Sequence, residues 1–418
     1  MFTSFSTALS ALNACSTAID VVGNNLANMN STGFKASEMS FSDLVTQSLG
    51  AGLGTTQVGF GTATPITLRN FAQGAIQTTG GVLDGAISGQ GFFVVQDPIS
   101  GNTEYTRAGS FQTDANGNLT TANGDFVQGW NTNSTGQMDT NAPVSNIVIP
   151  VGALEQPIAT TVMSADMNLN SVANADATST FSSPITIYDS LGTSHVLTMS
   201  FVKTGPNAWT YTATLPPADL ADPTTAQVAT GNLVFNTDGS LDLTQTTSPV
   251  VFTLPTFVDG ATSGGTVTWS LTQTSGAGAL TQYDQPSASS SSSQDGQAAS
   301  QLVNVGLGNG GTILAQYSDG QQVMVGQVAL ASIRNPDTLV AVGNNNFQLS
   351  EASAAPNIGV PGTGGRGSIS GGSIEASNVD IATEFTNLIV YQRGYEANGK
   401  VISTADTLSQ DTINLIQT

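Results

Sequence analysis

FSTALSALNACSTAIDVVGNNLANMNSTGFK, residues 5–35, contains no proline and places its apolar residues in a 4-3 rhythm. Phe5, Leu9, Leu12, Ser16, Ile19, Gly23 and Leu26 share that spacing. It predicts a helix carrying a heptad seam, weakened where Ser16 and Gly23 stand. Asn28, Asn30 and Gly33 then supply a stop, because Asn and Gly tolerate the left-handed turn that ends helices. The far end of the chain repeats the theme. Ser377 and Asp380 have capping-box spacing. Beyond them Ile381, Phe385, Leu388, Tyr395, Ile402, Ile413 and Ile416 fall on one broad face, with Glu396 and Lys400 placed for an i,i+4 pair on the other. Either stripe could belong to an ordinary core helix. Position argues otherwise, since each helix stands at a chain end beyond a glycine-rich break. One break runs through Gly50, Gly52, Gly54, Gly59 and Gly61, and the other from Gly359 to Gly372, which reads as flexible connection.

Between the breaks the period changes to two. Phe92 to Val95 reads as a buried strand, with Thr103 to Arg107 returning beside it. Asn116-Gly117, Asn123-Gly124 and Asp319-Gly320 are hairpin signals, because their positive-φ preference fits tight turns. Farther on, Leu197, Met199 and Phe201 alternate with Thr198 and Ser200. Trp209, Tyr211, Ala213 and Leu215 alternate with threonines, the pattern of half-buried antiparallel strands. The run Ser287 to Ser293 reads as a linker closing this region. The expected fold is therefore mainly β with terminal α-helices. Nested antiparallel β domains are inserted between an N-terminal and a C-terminal helix that pair as a coiled coil. Residues 1–33 and 376–418 form the paired helices, and 34–71 with 366–375 the connecting segments. Residues 72–149 with 293–365 form a first β domain, and 150–292 a second, outer one.

Composition narrows the function. Of 418 residues only 9% are charged and eight are basic, and the net charge is −21. A phosphate backbone needs a Lys/Arg footprint, so nucleic acid and anionic lipid are excluded as partners. One cysteine, Cys15, permits no intrachain disulfide. No apolar run approaches the ~18 residues of a membrane span, so no membrane insertion is expected. The first basic residue is Lys35, so the basic n-region of a cleaved secretory signal is missing. Leu12-Asn13-Ala14-Cys15 has the look of a lipoprotein cleavage box, but serines and threonines break the stretch before it; Cys15 reads instead as a small helical residue.

Catalytic and ligand-binding motifs fare badly. His195 is the single histidine and no nucleophile motif accompanies it. One His and one Cys, far apart in the chain, supply no zinc set. Paired carboxylates of a glycosidase kind have no flanking motif. Asp114 to Asn118 faintly suggests a calcium loop, but its glycine falls at position four rather than six, which favours a hairpin. The glycine-rich stretches lack the Lys-Ser/Thr of a phosphate loop. No catalytic, cofactor or metal residues are expected, and the chain is not expected to be an enzyme.

Four blocks resemble the axial proteins of the bacterial flagellum, the rod and hook family. The first is Gly23-Asn24-Asn25-Leu26-Ala27-Asn28, closing with Ser31-Thr32-Gly33-Phe34-Lys35. The second is Ala86 to Val95, and the third Tyr105-Thr106-Arg107-Ala108-Gly109-Ser110-Phe111. The fourth is Ser377-Asn378-Val379-Asp380-Ile381 followed by Tyr391-Gln392-Arg393-Gly394-Tyr395-Glu396-Ala397-Asn398, with Gly394 where Ala or Asn is usual. Within the family, the large β insert at 150–292 favours the hook over the distal rod. The resemblance implies a structural protomer of a flexible helical tube, the universal joint between rod and filament. It implies export through the flagellar channel without a cleaved signal, and an extracellular location. The implied partners are copies of itself, the rod and hook–filament junction proteins, the hook cap and the export apparatus. The apolar stripes of both helices become subunit-packing residues, and the signature residues become family landmarks. A surface adhesin built on the Thr/Ser-rich region is the reading from another class.

Overall fold

Residues 2–27 have no helix breaker but Gly23, and they form one helix, α1 (Phe2–Ala27). The stop falls where the sequence places it. Asn28 Nδ2 donates to the Asn24 carbonyl (2.9 Å) and Ser31 Oγ donates to Asn28 Oδ1 (3.0 Å), so side chains satisfy the end of the helix. At the other end the helix α2 (Ile381–Ile416) begins at Asp380. The Asp380 carboxylate accepts from the backbone N–H groups of Ala382 (2.8 Å) and Thr383 (3.2 Å). Asp380 is thus the N-cap. Ser377, expected to open a capping box, instead accepts from the Val379 N–H. The expected Glu396–Lys400 pair is replaced by Arg393–Glu396 at 3.0 Å, one turn earlier.

The computed structural model describes all residues except 1, 45, 50–55, 134–135, 153, 247–249, 263, 274–275 and 417–418. Gly50, Gly52 and Gly54 of the first glycine break lie outside the described residues. Two compact units emerge: residues 1–151, 303–316 and 321–418 form one, and 152–302 with 317–320 the other.

In the first unit α1 and α2 pack on each other, and short antiparallel ladders follow. Ser37–Ser40 pairs with Ile66–Arg69, Ile76–Thr78 with Ser373–Glu375, and Gly85–Ser88 with Ser368–Gly371. The second glycine-rich stretch is therefore not a free connection. Its end is laddered, and the Gly367 N–H bonds to the Gln90 carbonyl. The main sheet holds Phe92–Gln96 between Thr103–Thr106 and Phe126–Asn131, with Gln322–Val328 beyond. One of its apolar faces is built by Phe92, Val94, Tyr105, Trp130 and Phe347. The Asn-Gly and Asp-Gly turns fall as expected. Asp114 spends its carboxylate on Asn116 N–H, Asn118 N–H and Asn118 Nδ2, which makes it a turn residue.

The second unit is two sheets around one apolar core. Phe181–Tyr188, Ser194–Gly205, Ala208–Thr214 and Gln227–Val234 form an antiparallel meander. Its inward residues Leu197, Met199, Phe201 and Trp209 are fully buried, as the period of two predicts. The facing sheet departs from the all-antiparallel expectation. Val162–Asn170 runs parallel to Thr266–Ser270 and to Leu280–Tyr283. On its other side it pairs antiparallel with Ala288–Gln294. The serine run is thus a strand and not a linker. Strand formation depends on an available ladder more than on side-chain type, and Ser164–Ser293 (2.9 Å) and Ser291–Asp166 (2.9 Å) contacts reinforce it.

Candidate functional site

The two terminal helices run antiparallel. Ser4 lies near Lys400 and Thr404, Cys15 opposite Gly394, and Val22 near Glu384 and Tyr391. The buried face of α1 is small: Ala8, Ala14, Ala18 and Val22. Small residues let the backbones approach closely. A Cβ on Gly394 would stand 3.2 Å from Cys15 Sγ. Burial raises the Cys15 thiol pKa, as suits a packing residue and not a nucleophile.

The expected 4-3 stripe is a different face. Phe5 and Leu9 are each 45% exposed, and Leu12, Ile19 and Leu26 are half-buried. At about 100° per residue this stripe sits roughly a third of a turn from the alanine face. The same holds on α2. Leu388 and Ile402 are half-buried, whereas Ile381, Phe385, Tyr395 and Ile413 are exposed. The Ile416 side chain lies outside the described residues. The sequence therefore located the large apolar residues but not the intrachain seam, which is marked by alanine and carries little hydropathy signal. Helix α1 is also, by length and composition, apolar enough to cross a membrane, contrary to expectation; part of it is buried against the protein.

Below the helices lies a charged node. Glu375 is fully buried and takes Lys35 Nζ at 2.5 Å and Arg107 Nη1 at 3.0 Å. The Gly74 N–H donates to the same carboxylate at 2.8 Å. Lys35 also donates to the Ala72 carbonyl, and Arg107 Nη2 to the Gly89 carbonyl. Burial pushes the Lys35 pKa down, and the hydrogen bond to Glu375 opposes this. The node ties three of the four sequence blocks together and joins the N-terminal part of the chain to its C-terminal part. Gly33 belongs to it by shape. Its φ is +69°, and a Cβ there would stand 2.5 Å from the Ala108 nitrogen. Phe34 is buried beside it in sequence.

Asparagines join the helices to this base. Asn25, fully buried, donates to the Ser37 carbonyl and to Glu384 Oε1, and accepts from the Ser37 N–H. Asn378 accepts from the Ala36 N–H and donates to the carbonyls of Asn70 and Ala72. Asn24 and Asn28 cap α1. On α2, Asn398 donates to the Gly394 carbonyl, Arg393 and Glu396 pair in the open, and Gln392 is exposed. Sequence reasoning did not single out Arg107, Glu375 or Glu384 as site residues. A lone buried acid far from its partners leaves no local pattern.

One cluster of titratable groups lies in the second unit. His195 is buried, stacked on Phe257 at 3.9 Å, with Nε2 3.0 Å from Asp189 and Nδ1 3.0 Å from Asp219. Asp259 brings a third carboxylate near, and Asp189, His195 and Asp259 present ligand atoms within 4.8 Å of one another. The sequence reading found no such cluster, because residues 189, 195, 219 and 259 meet only through the fold. Both ring nitrogens of His195 thus face a carboxylate, one from Asp189 and one from Asp219.

Four family models match in order: flagella basal body rod protein over residues 5–35, the FlgE/F/G D1 domain over 86–162, the flagellar basal body protein FlaE D2 domain over 159–297, and the rod FlgEFG protein C-terminal over 370–415. The flagellar hook protein FlgE of Salmonella typhimurium is 34% identical, over 99% of this chain and 100% of its own length. That of Escherichia coli K12 is 32% identical over 98% and 99%, and that of Treponema pallidum 31% over 99% and 100%. The crystal structure of Helicobacter pylori hook protein FlgE2 shares the fold, with a TM-score of 0.52 at 14% identity over 70% of this chain and 99% of that one. Helix pair, buried node and two β units thus coincide with matches that run from one end to the other, and the chain belongs to the flagellar hook protein family.

Proposed function

We propose that this protein is the structural protomer of the flagellar hook, polymerising into a flexible helical tube that joins rod to filament. The observation that carries the reading is the pair of terminal helices, which keep Phe5, Leu9, Phe385, Tyr395 and Ile413 exposed in a chain similar to hook proteins along its whole length. An exposed apolar stripe on long helices is costly unless something covers it, and further copies of the chain supply the cover. Residues 159–297, matching the D2 domain, favour the hook over the distal rod as the runner-up. The buried node serves as a rigid base from which the helices project. The proposal includes passage through the flagellar export apparatus without a cleaved signal, an extracellular position, and contacts with rod, junction and cap proteins at the ends of the tube. Function is mechanical, and no residue is assigned to catalysis or to a cofactor.

Electron microscopy of the purified full-length protein, concentrated stepwise, tests the reading. Tubes of constant diameter are expected. A protein that stays monomeric at every concentration, or forms only amorphous aggregate, would overturn it.

A further inference from the structure

A cavity of about 320 Å³ lies where α1, the strand Ser37–Ser40 and α2 meet. Val21, Val22, Met39 and Tyr391 give it apolar walls, and Glu38 and Glu384 give it carboxylates. Glu384 is 7% exposed. Its Oε1 accepts from Asn25 Nδ2 at 3.0 Å, and among the described residues no cation pairs with it. Burial, with Glu38 and Asp380 adding to it against the Asn25 hydrogen bond, holds its carboxyl pKa above the ordinary carboxylate range. A buried carboxylate with no counter-charge is a costly arrangement unless a cation arrives.

The chain has few cations to offer. Of eight, Lys35 and Arg107 are held by Glu375, and Arg69 lies over the Phe347 ring. Lys203 donates to the Ser171 carbonyl, and Arg366 to Val360 and Thr363. Arg334, Arg393 and Lys400 remain exposed. Arg393 has a side chain 78% exposed, paired with the open Glu396. It cannot reach Glu384 of its own chain. Nine residues along a helix amount to about 13 Å and about two and a half turns, so the two project from opposite faces of α2. Complementary groups on opposite faces of one helix make a head-to-tail contact, and such a contact repeated without closure gives an open filament.

We infer that Arg393 of a second copy of this chain enters this cavity and pairs with Glu384 and Glu38. The inference rests on the polymer reading above. A guanidinium suits the site better than the Lys400 ammonium, because its planar fork can bridge two carboxylates while its stem lies on Val22 and the Tyr391 ring.

The test uses the full-length chain and its critical concentration for polymerisation, after circular dichroism has shown that each variant monomer keeps its fold. Glu384→Gln and Arg393→Gln should each raise the critical concentration by about 30-fold or more, and the double variant no further than either alone. Lys400→Gln should leave it unchanged. Additive effects in the double variant, a wild-type value for Arg393→Gln, or coupling of Glu384 to Lys400 would overturn the contact while leaving the polymer reading in place. A second measurement is independent of stability. In a Cys15→Ala background, chains carrying Glu384→Cys are copolymerised with chains carrying Arg393→Cys and treated with a short bismaleimide. Mixed dimers are expected; polymer that yields none would refute the contact. Wild-type protein that never polymerises would instead remove the polymer reading and this contact with it.

Discussion

Glu375 shows how one residue can hold a fold that its neighbours in sequence do not reveal. It is fully buried between Lys35 and Arg107. Glu375→Gln would keep the shape and strand two buried cations. Breaking a buried pair from one side costs about 3–5 kcal/mol, so denaturant melts should show a loss of that size in the first unit. Glu384 is the opposite case, a buried acid without a counter-charge. Its raised carboxyl pKa means that the folded chain binds the proton more tightly than the unfolded one. The penalty of ionisation is therefore fully present above the folded pKa, is relieved as the pH falls through it, and is gone below the unfolded value. Glu384→Gln should stabilise the free chain at neutral pH, because Gln still accepts from Asn25, and this advantage should vanish on acidification. Melts of both proteins across that pH range would check it; an advantage that grew with acid would contradict the assignment. The same substitution weakens assembly, so stability and function move apart at this residue. Neither acid was legible in the sequence. Lys35 and Asn25 were singled out by family resemblance, whereas their partners Glu375 and Glu384 lie near the other end of the chain and no periodicity links them.

At the scale of elements, periodicity found the helices and misplaced the seam. Heptad reading ranks positions by hydropathy, so it chose Phe5, Leu9 and Leu12. The face of α1 that the chain buries is built by Ala8, Ala14 and Ala18, where close approach matters more than apolar area. The β elements were read more accurately, because alternation in 195–203 and 209–215 and the Asn-Gly turns are local signals. The serine strand 288–294 was missed because its pairing partner, Val162–Asn170, lies far off in the sequence. The two faces of α1 separate two predictions. Leu9→Asp should leave the monomer folded, since that side chain is already half in water, yet abolish polymerisation; sedimentation and circular dichroism together would show it. Ala18→Leu should do the reverse. Overpacking the intrachain seam costs roughly 1–3 kcal/mol, so the helical signal should melt earlier in the free chain. If Leu9→Asp assembled normally, the exposed stripe would not be the subunit surface.

At the scale of the molecule, each unit carries its own core. The second closes Trp209, Trp269 and Phe201 between two sheets without a disulfide. Residues 152–302, expressed alone, should melt cooperatively; a random-coil spectrum would show that the insert depends on the rest of the chain. The helices are different. Helical stability comes mainly from burying a face rather than from propensity, because nucleation is costly. The α1 stripe has Ser16 and Gly23 among its seven positions, and α2 leaves Ile381, Phe385, Ile389, Val390, Leu408 and Ile413 exposed. Among the described residues of α1, the apolar side chains fully covered within one chain are Ala8, Ala14, Ala18 and Val22. The helix pair of a free subunit should therefore fray, most at the end where Ser4 meets Lys400 and Leu408, far from the anchored base at Asn25 and Asp380. Burying a Leu or Phe contributes about 1.5–3 kcal/mol, so each further copy that covers the stripe would shift the helices toward order. Ordering and assembly then become one step, which keeps a chain with exposed apolar helices from associating before a growing end is present. Helical ellipticity should rise as subunits polymerise, and hydrogen exchange should slow first near Asp380 and last near Ile413. A free monomer with full helicity and uniformly protected terminal amides would refute this coupling.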